Sequence, residues 1–159
     1  MRLTKLLPMI LLSSLAACGG DSSSSLTGTN GNNNTTGPMT ATIDGKAWAS
    51  PAPAVVRNGT IVSVAGLDLA LTASVSFAFA ASATGTYSLA PGNSVGGLGI
   101  VTKGSQGWGS ALQGGAGSVT LTTLTANHVV GTFAFDAVPS SGGATGTVHV
   151  TNGKFDITY

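Results

Sequence analysis

Beyond residue 38, apolar and polar positions alternate with a period of two along most of the chain. Leu71, Ala73, Val75, Phe77 and Phe79 alternate with Thr72, Ser74, Ser76 and Ala78, the pattern of a half-buried strand. Val119 and Leu121, then Gly131, Phe133 and Phe135, then Val148 and Val150 about His149, then Phe155, Ile157 and Tyr159 repeat it. No window in this region has a convincing 3.6-residue period. The pattern predicts strands near 39–43, 46–50, 54–57, 60–65, 69–79, 85–89, 98–103, 118–125, 129–137, 146–151 and 154–159. Asp44-Gly45, Asn58-Gly59 and Asn152-Gly153 each separate two such runs, and these dipeptides accept the positive φ of two-residue hairpin turns. Short strands joined in sequence imply an all-β domain over residues 39–159. The expected form is an antiparallel β-sandwich, with a closed meandering β-barrel as the alternative. Residues 92–117 depart from the pattern, with ten glycines, few bulky side chains and Trp108. They read as a mobile segment or as a pair of flat edge strands.

The amino terminus has a different pattern. Arg2 and Lys5 precede a mostly apolar run from Leu6 to Leu15, and Ala16, Ala17 and Cys18 follow. A charged start, a short apolar core and small residues describe a secretory signal peptide. The run is too short for a spanning helix, which needs ~20 apolar residues. Cys18 is the only cysteine in the chain, so no internal disulfide can form, and a lone cysteine in an exported protein asks for a reason. Leu15-Ala16-Ala17-Cys18 resembles the lipobox of bacterial lipoprotein precursors at every position. The resemblance implies cleavage after residue 17, lipidation of the Cys18 thiol and acylation of the new amino terminus, palmitate being the typical chain. Several acyl chains hold a protein stably, where one does so only marginally. Gly19, rather than an acidic residue, resembles lipoproteins sorted to the outer membrane. Residues 18–38 after the cleavage site are, between Cys18 and Pro38, Ser, Asn, Gly and Thr with a single charge, Asp21, and one large apolar side chain, Leu26. Such a segment buries too little apolar surface to offset ordering entropy and reads as a disordered tether.

Charge narrows the function classes. Charged residues are 7% of the chain, against about 25% in an ordinary soluble domain. There is no glutamate, and the net charge is +1. Without the signal peptide, four basic and five acidic residues remain. A nearly neutral surface covered with Ser, Thr, Asn and Gly excludes a basic nucleic-acid groove. It also leaves few groups for acid–base chemistry.

The candidate chemistry is correspondingly thin. Gly92-Asn93-Ser94-Val95-Gly96 fits G-x-S-x-G, and Asp136 and His149 follow in the Ser, Asp, His order of α/β-hydrolases. A nucleophile elbow needs a strand before the serine and a helix after it. Here Pro91 and Gly92 precede, and a Gly-rich strand pattern follows. A serine hydrolase is therefore the remote alternative. His128 and His149 are the only imidazoles. A metal site wants three or four ligands, so both read as exposed strand or turn residues. The five aspartates, Asp21, Asp44, Asp68, Asp136 and Asp156, form no adjacent pair of the glycosidase kind and no calcium loop. No cofactor or metal is implied. Trp108, between Gly107 and Gly109, is the one ligand-binding candidate, as an aromatic platform for a sugar ring. The competing reading has it plugging the open end of the sandwich. Trp48 reads as core. Residues 75–80, low in charge and free of proline, would invite strand addition if they lay at a sheet edge.

The ends of the domain resemble a known family. Ala41-Thr42-Ile43-Asp44-Gly45-Lys46-Ala47-Trp48 opens it. Gly131-Thr132-Phe133-Ala134-Phe135 and the run from Val150 through Asn152-Gly153-Lys154-Phe155 to Tyr159 close it. These are similar to a family of small β-rich domains of unknown function in exported proteins and lipoproteins of Gram-negative bacteria. The resemblance implies export and the fold, and brings no catalytic residues. The combined expectation is a non-enzymatic binding or structural module, lipid-anchored at the outer membrane through Cys18. An envelope protein or a glycan is its expected partner.

Overall fold

The computed structural model describes residues 38–92 and 96–159. The signal peptide, Cys18, nearly all of the tether and Ser94 lie outside the described residues. Among the described residues eleven strands and no helix follow in order. They are β1 (Met39–Ile43), β2 (Lys46–Ser50), β3 (Ala54–Asn58), β4 (Ile61–Leu67), β5 (Ala73–Ala80) and β6 (Gly85–Ser88). Then come β7 (Leu98–Lys103), β8 (Gln106–Gly109), β9 (Ala116–Leu124), β10 (His128–Ser141) and β11 (Val148–Thr158). All pairings are antiparallel. The spatial order is β2-β1-β11-β10-β8-β7-β5-β4-β3, with β9 also on β10 and β6 on β9.

β10 is the pivot. On one edge it pairs β11 along most of its length. On the other it pairs β9 from Val129 to Asp136 and then β8 from Val138 to Ser141. One strand thereby belongs to both layers, and a single sheet curls into a half-barrel whose two inner faces meet. Strands that switch layers at bends are how such corners are made. The ladder shifts register between Pro139 and Ser141. Proline lacks the N–H a ladder needs and is tolerated at such irregularities.

Alternating side chains from both layers fill the space between them. Val75, Phe77 and Phe79 of β5 meet Phe133 and Phe135 of β10 and Phe155 and Ile157 of β11, all buried. The Phe77 ring lies 4.8 Å from that of Phe133 and 5.4 Å from that of Phe155, tilted in both cases, an arrangement favoured by the ring quadrupoles.

Two glycines make room for these rings. Gly131 stands directly opposite Phe155, and Gly153 directly opposite Phe133, on the paired strands β10 and β11. A side chain on Gly131 would meet the Phe155 ring, and one on Gly153 the Phe133 ring. Each ring lies across its neighbour's glycine, the device that offsets an interior glycine's weak packing. The closing motif Gly-Thr-Phe followed by Asn-Gly-Lys-Phe therefore works as two interlocked glycine–phenylalanine pairs.

The hairpin expectations were met unevenly. Asp44 (φ 50°) and Gly45 (φ 78°) form the β1–β2 turn. The β3–β4 turn is shifted by one residue. Asn58 pairs Ile61 as part of the ladder, so Gly59 and Thr60 form the turn and Gly59 carries the positive φ. Asn152-Gly153 forms no hairpin. The expected strands 146–151 and 154–159 are one strand, β11, with a bulge at Asn152 (φ 53°). Both neighbours register the same extra residue, β10 between Phe133 and Phe135 and β1 between Thr40 and Thr42. The bulge changes the parity of the strand, so that Val148 and Val150 before it and Phe155 and Ile157 after it all face the core. We expect Asn152→Gly to be tolerated and Asn152→Val to lose about 1–2 kcal/mol in a urea melt, because a β-branched residue resists the left-handed region.

Other expectations are corrected. β5 begins at Ala73 rather than 69, because residues 68–72 form a turn. Residues 98–109 are an interior hairpin, β7–β8, between β5 and β10, and not a pair of edge strands. The apolar run of β5 is likewise interior, flanked by β4 and β7. The open edges among the described residues fall to β2, β3 and β6.

Candidate functional site

The polar groups of interest gather around the β1–β2 turn. Asp44 sits there because it tolerates a positive φ, and its carboxylate then reaches two other strands. Oδ1 accepts the backbone N–H of His149 at 2.8 Å, and Oδ2 accepts Lys103 Nζ at 2.7 Å. The Asp44 N–H donates to the His149 carbonyl at 2.9 Å. Burial pushes the Asp44 carboxyl up, but the Lys103 ammonium and the His149 N–H outweigh it and hold the carboxyl below its ordinary value. Lys103 Nζ also stands 5.5 Å from the centre of the Trp108 ring, within range of a cation–π attraction. The Trp108 indole N–H in turn donates to the Gly146 carbonyl at 3.0 Å.

This chain of contacts decides the environment of Trp108. The ring is 4% exposed, so it presents no open platform in this conformation and closes off the core beside residues 145–146. Of the two readings of Trp108, platform and plug, its burial agrees with the plug; Gly107 and Gly109 raise the first as neighbours that leave a ring uncovered. Those glycines instead lie on β8 in the middle of the sheet, facing Thr102 and Ile100 of β7. Trp48 is buried as expected, with its indole N–H donating to the Ala73 carbonyl at 3.3 Å.

Next to this chain lies a cleft of about 250 Å³, lined by Ile43, Lys46, Trp48, Asp68, Ala73 and Lys103 among others. It combines an apolar floor with two ammonium groups. Both carboxylates near it already have partners. Asp44 is held as described, and Asp68 accepts the N–H and the hydroxyl of Thr72 at 2.7 and 2.8 Å. Burial raises the Asp68 carboxyl, and the Thr72 and neighbouring backbone donors lower it by more. Both carboxylates are thus hydrogen-bond acceptors at neutral pH, and the ammonium groups of Lys46 and Lys103 are the charged donors of the cleft.

Sequence reading missed Lys103 and Lys46 as site residues. Lys103 lies 59 positions from Asp44, and no local spacing connects them. Asp136 and His149, by contrast, are brought together directly. They oppose each other across β10 and β11, with Nδ1 and Oδ1 2.7 Å apart on the outer face. His128 Nε2 and Asp156 Oδ1 form a second exposed pair at 2.7 Å. Among the described residues, no three His, Cys, Asp or Glu side chains gather as a metal-ligand set.

The Asp44 contacts carry a pH dependence. A carboxyl whose folded pKa is depressed adds stability above its unfolded value of about 3.9, and that stability is lost as pH falls through the lower folded value. Asn keeps the turn's tolerance of positive φ. We therefore expect Asp44→Asn to cost less than about 1 kcal/mol at neutral pH, since the pair is part-exposed. In denaturant melts the gap to wild type should narrow as pH falls below the unfolded value of about 3.9.

The fold and the cleft define a small antiparallel half-barrel domain with a neutral, hydrogen-bonded rim. Residues 35–157 match the family model described as a domain of unknown function, DUF6252, and the chain belongs to that family. No curated protein and no solved structure matches it.

Proposed function

We propose that this is a lipid-anchored cell-envelope protein of a Gram-negative bacterium, held in the outer membrane by acyl chains on Cys18, with a binding or structural role and no catalysis. The observation that carries the reading is Leu15-Ala16-Ala17-Cys18, placed directly after Arg2, Lys5 and a short apolar run. It gives the sole thiol a use and accounts for an exported chain without a disulfide. The absence of glutamate and the shortage of charged residues in the sequence support a role without acid–base chemistry. The free edge of β3, where Val56 is exposed, supports a role in binding, since such edges accept an added strand.

Labelling with a radioactive acyl precursor in cells, followed by membrane fractionation, tests the anchor. The wild-type chain should take up label, lose residues 1–17 and sediment with membranes. Cys18→Ala should lose the label and the processing. A Cys18→Ala chain that fractionates and matures like wild type would refute the reading.

A further inference from the structure

The two most exposed large apolar side chains among the described residues are Leu69 (83%) and Leu71 (72%), and Leu67 (43%) stands beside them. All three belong to the β4–β5 connection, Leu67-Asp68-Leu69-Ala70-Leu71-Thr72. The connection is firmly built. Asp68 caps it through both carboxylate oxygens on Thr72, the Leu71 N–H donates to the Asp68 carbonyl at 3.0 Å, and the Asp68 N–H donates to the Ala73 carbonyl at 3.2 Å. Leu71 is held at φ 56°, which a side chain with a Cβ resists. The fold thus keeps two leucines in water on a rigid tip, one of them in an unfavourable backbone conformation.

We propose that this tip docks on a membrane: Leu69 and Leu71, with Leu67 beside them, insert into the lipid surface to which Cys18 tethers the domain. This rests on the lipid-anchor reading. The place where the chain enters the domain selects the occupant. Met39 pairs Ser50, and the Ser50 hydroxyl accepts the Leu67 N–H at 3.1 Å. The leucine tip therefore starts one side chain away from the first strand residue. The Ser-, Asn-, Gly- and Thr-rich sequence from 19 to 38 is a short enough link to hold the tip at a lipid surface at an effective concentration in the millimolar range. Weak apolar insertion is then sufficient. Charge does not oppose it, because the Asp68 carboxylate is turned into the loop by Thr72 and Lys46 and Lys103 share its cleft. The contact is apolar rather than electrostatic, so it needs no anionic lipid and is insensitive to salt.

The test uses the mature lipidated chain in vesicles of phosphatidylethanolamine and phosphatidylcholine, part of the latter brominated on its acyl chains. Leu69→Trp reports on the tip. Ile61→Trp, at the other end of β4 about 20 Å away, is the control. We expect emission from the new indole at 69 to be quenched several-fold more than that at 61, equally at low and high salt. Equal quenching at the two positions, or none, overturns the inference while leaving the anchor intact. An intact mass without acyl groups on Cys18 overturns the anchor, and this inference falls with it.

Discussion

Phe133→Ala is expected to lower the unfolding free energy by about 4 kcal/mol, within the range seen when a buried phenylalanine is truncated. Phe133 is buried at the junction of the two layers, against the rings of Phe77 and Phe155. The site is poorly placed to collapse around the cavity. The residue facing Phe133 on β11 is Gly153, which has no side chain to move in. The Phe77 ring on the opposite layer is fixed in its own contacts with Phe79 and Phe155. A urea titration with an unchanged slope and a lowered midpoint would report this loss. Phe133→Leu, which keeps most of the volume, should cost less than half as much. A loss below about 1 kcal/mol for the alanine variant would show that the two layers are not packed through this ring.

Ser110→Ala should cost about 3 kcal/mol although it removes one oxygen. Ser110 is fully buried. Its hydroxyl donates to the Leu89 carbonyl at 2.5 Å and accepts the Gly99 N–H at 2.8 Å, while its own N–H donates to the Gly99 carbonyl at 2.8 Å. The hydroxyl thus joins the segment after β6 to the start of β7. Alanine leaves a carbonyl and an N–H without these partners away from water, and each such group costs about 1–3 kcal/mol. The local signature is amide exchange. The Gly99 N–H should exchange much faster in the variant than in the parent, beyond what the global destabilisation accounts for. Unchanged relative protection at Gly99 would show that a water replaces the hydroxyl.

Several elements could be read from local pattern because local physics decides them. Val75-Phe77-Phe79 and Gly131-Phe133-Phe135 alternate cleanly, and each is a buried strand face in the structure. Asp44-Gly45 made the expected turn because both residues accept a positive φ at little cost. Asn152-Gly153 has the same chemistry, yet made a bulge. A change of parity in the apolar pattern is compatible with a reversal of the chain and with one extra residue in a continuing strand. Only the partners β1 and β10, each spanning the site, distinguish them. Leu69 and Leu71 continue the alternation of β5 on paper, but the Asp68–Thr72 bonds end the strand at Ala73 and turn those leucines outward.

The candidate site shows the same division. Trp108 stood out in sequence for its glycine neighbours, and Asp44 for its turn. That Lys103 links the two follows from the curl of the sheet, which brings the end of β7 to the β1–β2 turn although three strands separate β1 from β7 in the ladder order. By itself the sequence determined the all-β class and the alternation that builds its core, because these depend on side-chain period and on backbone preferences a few residues long. The tertiary structure alone decided the role of β10 in both layers, the interior position of the glycine-rich hairpin, the burial of Trp108 and the exposure of the leucine tip. Each of these depends on which distant strand lies alongside, and hydrogen-bonded ladders between residues far apart in the chain leave no trace in local sequence.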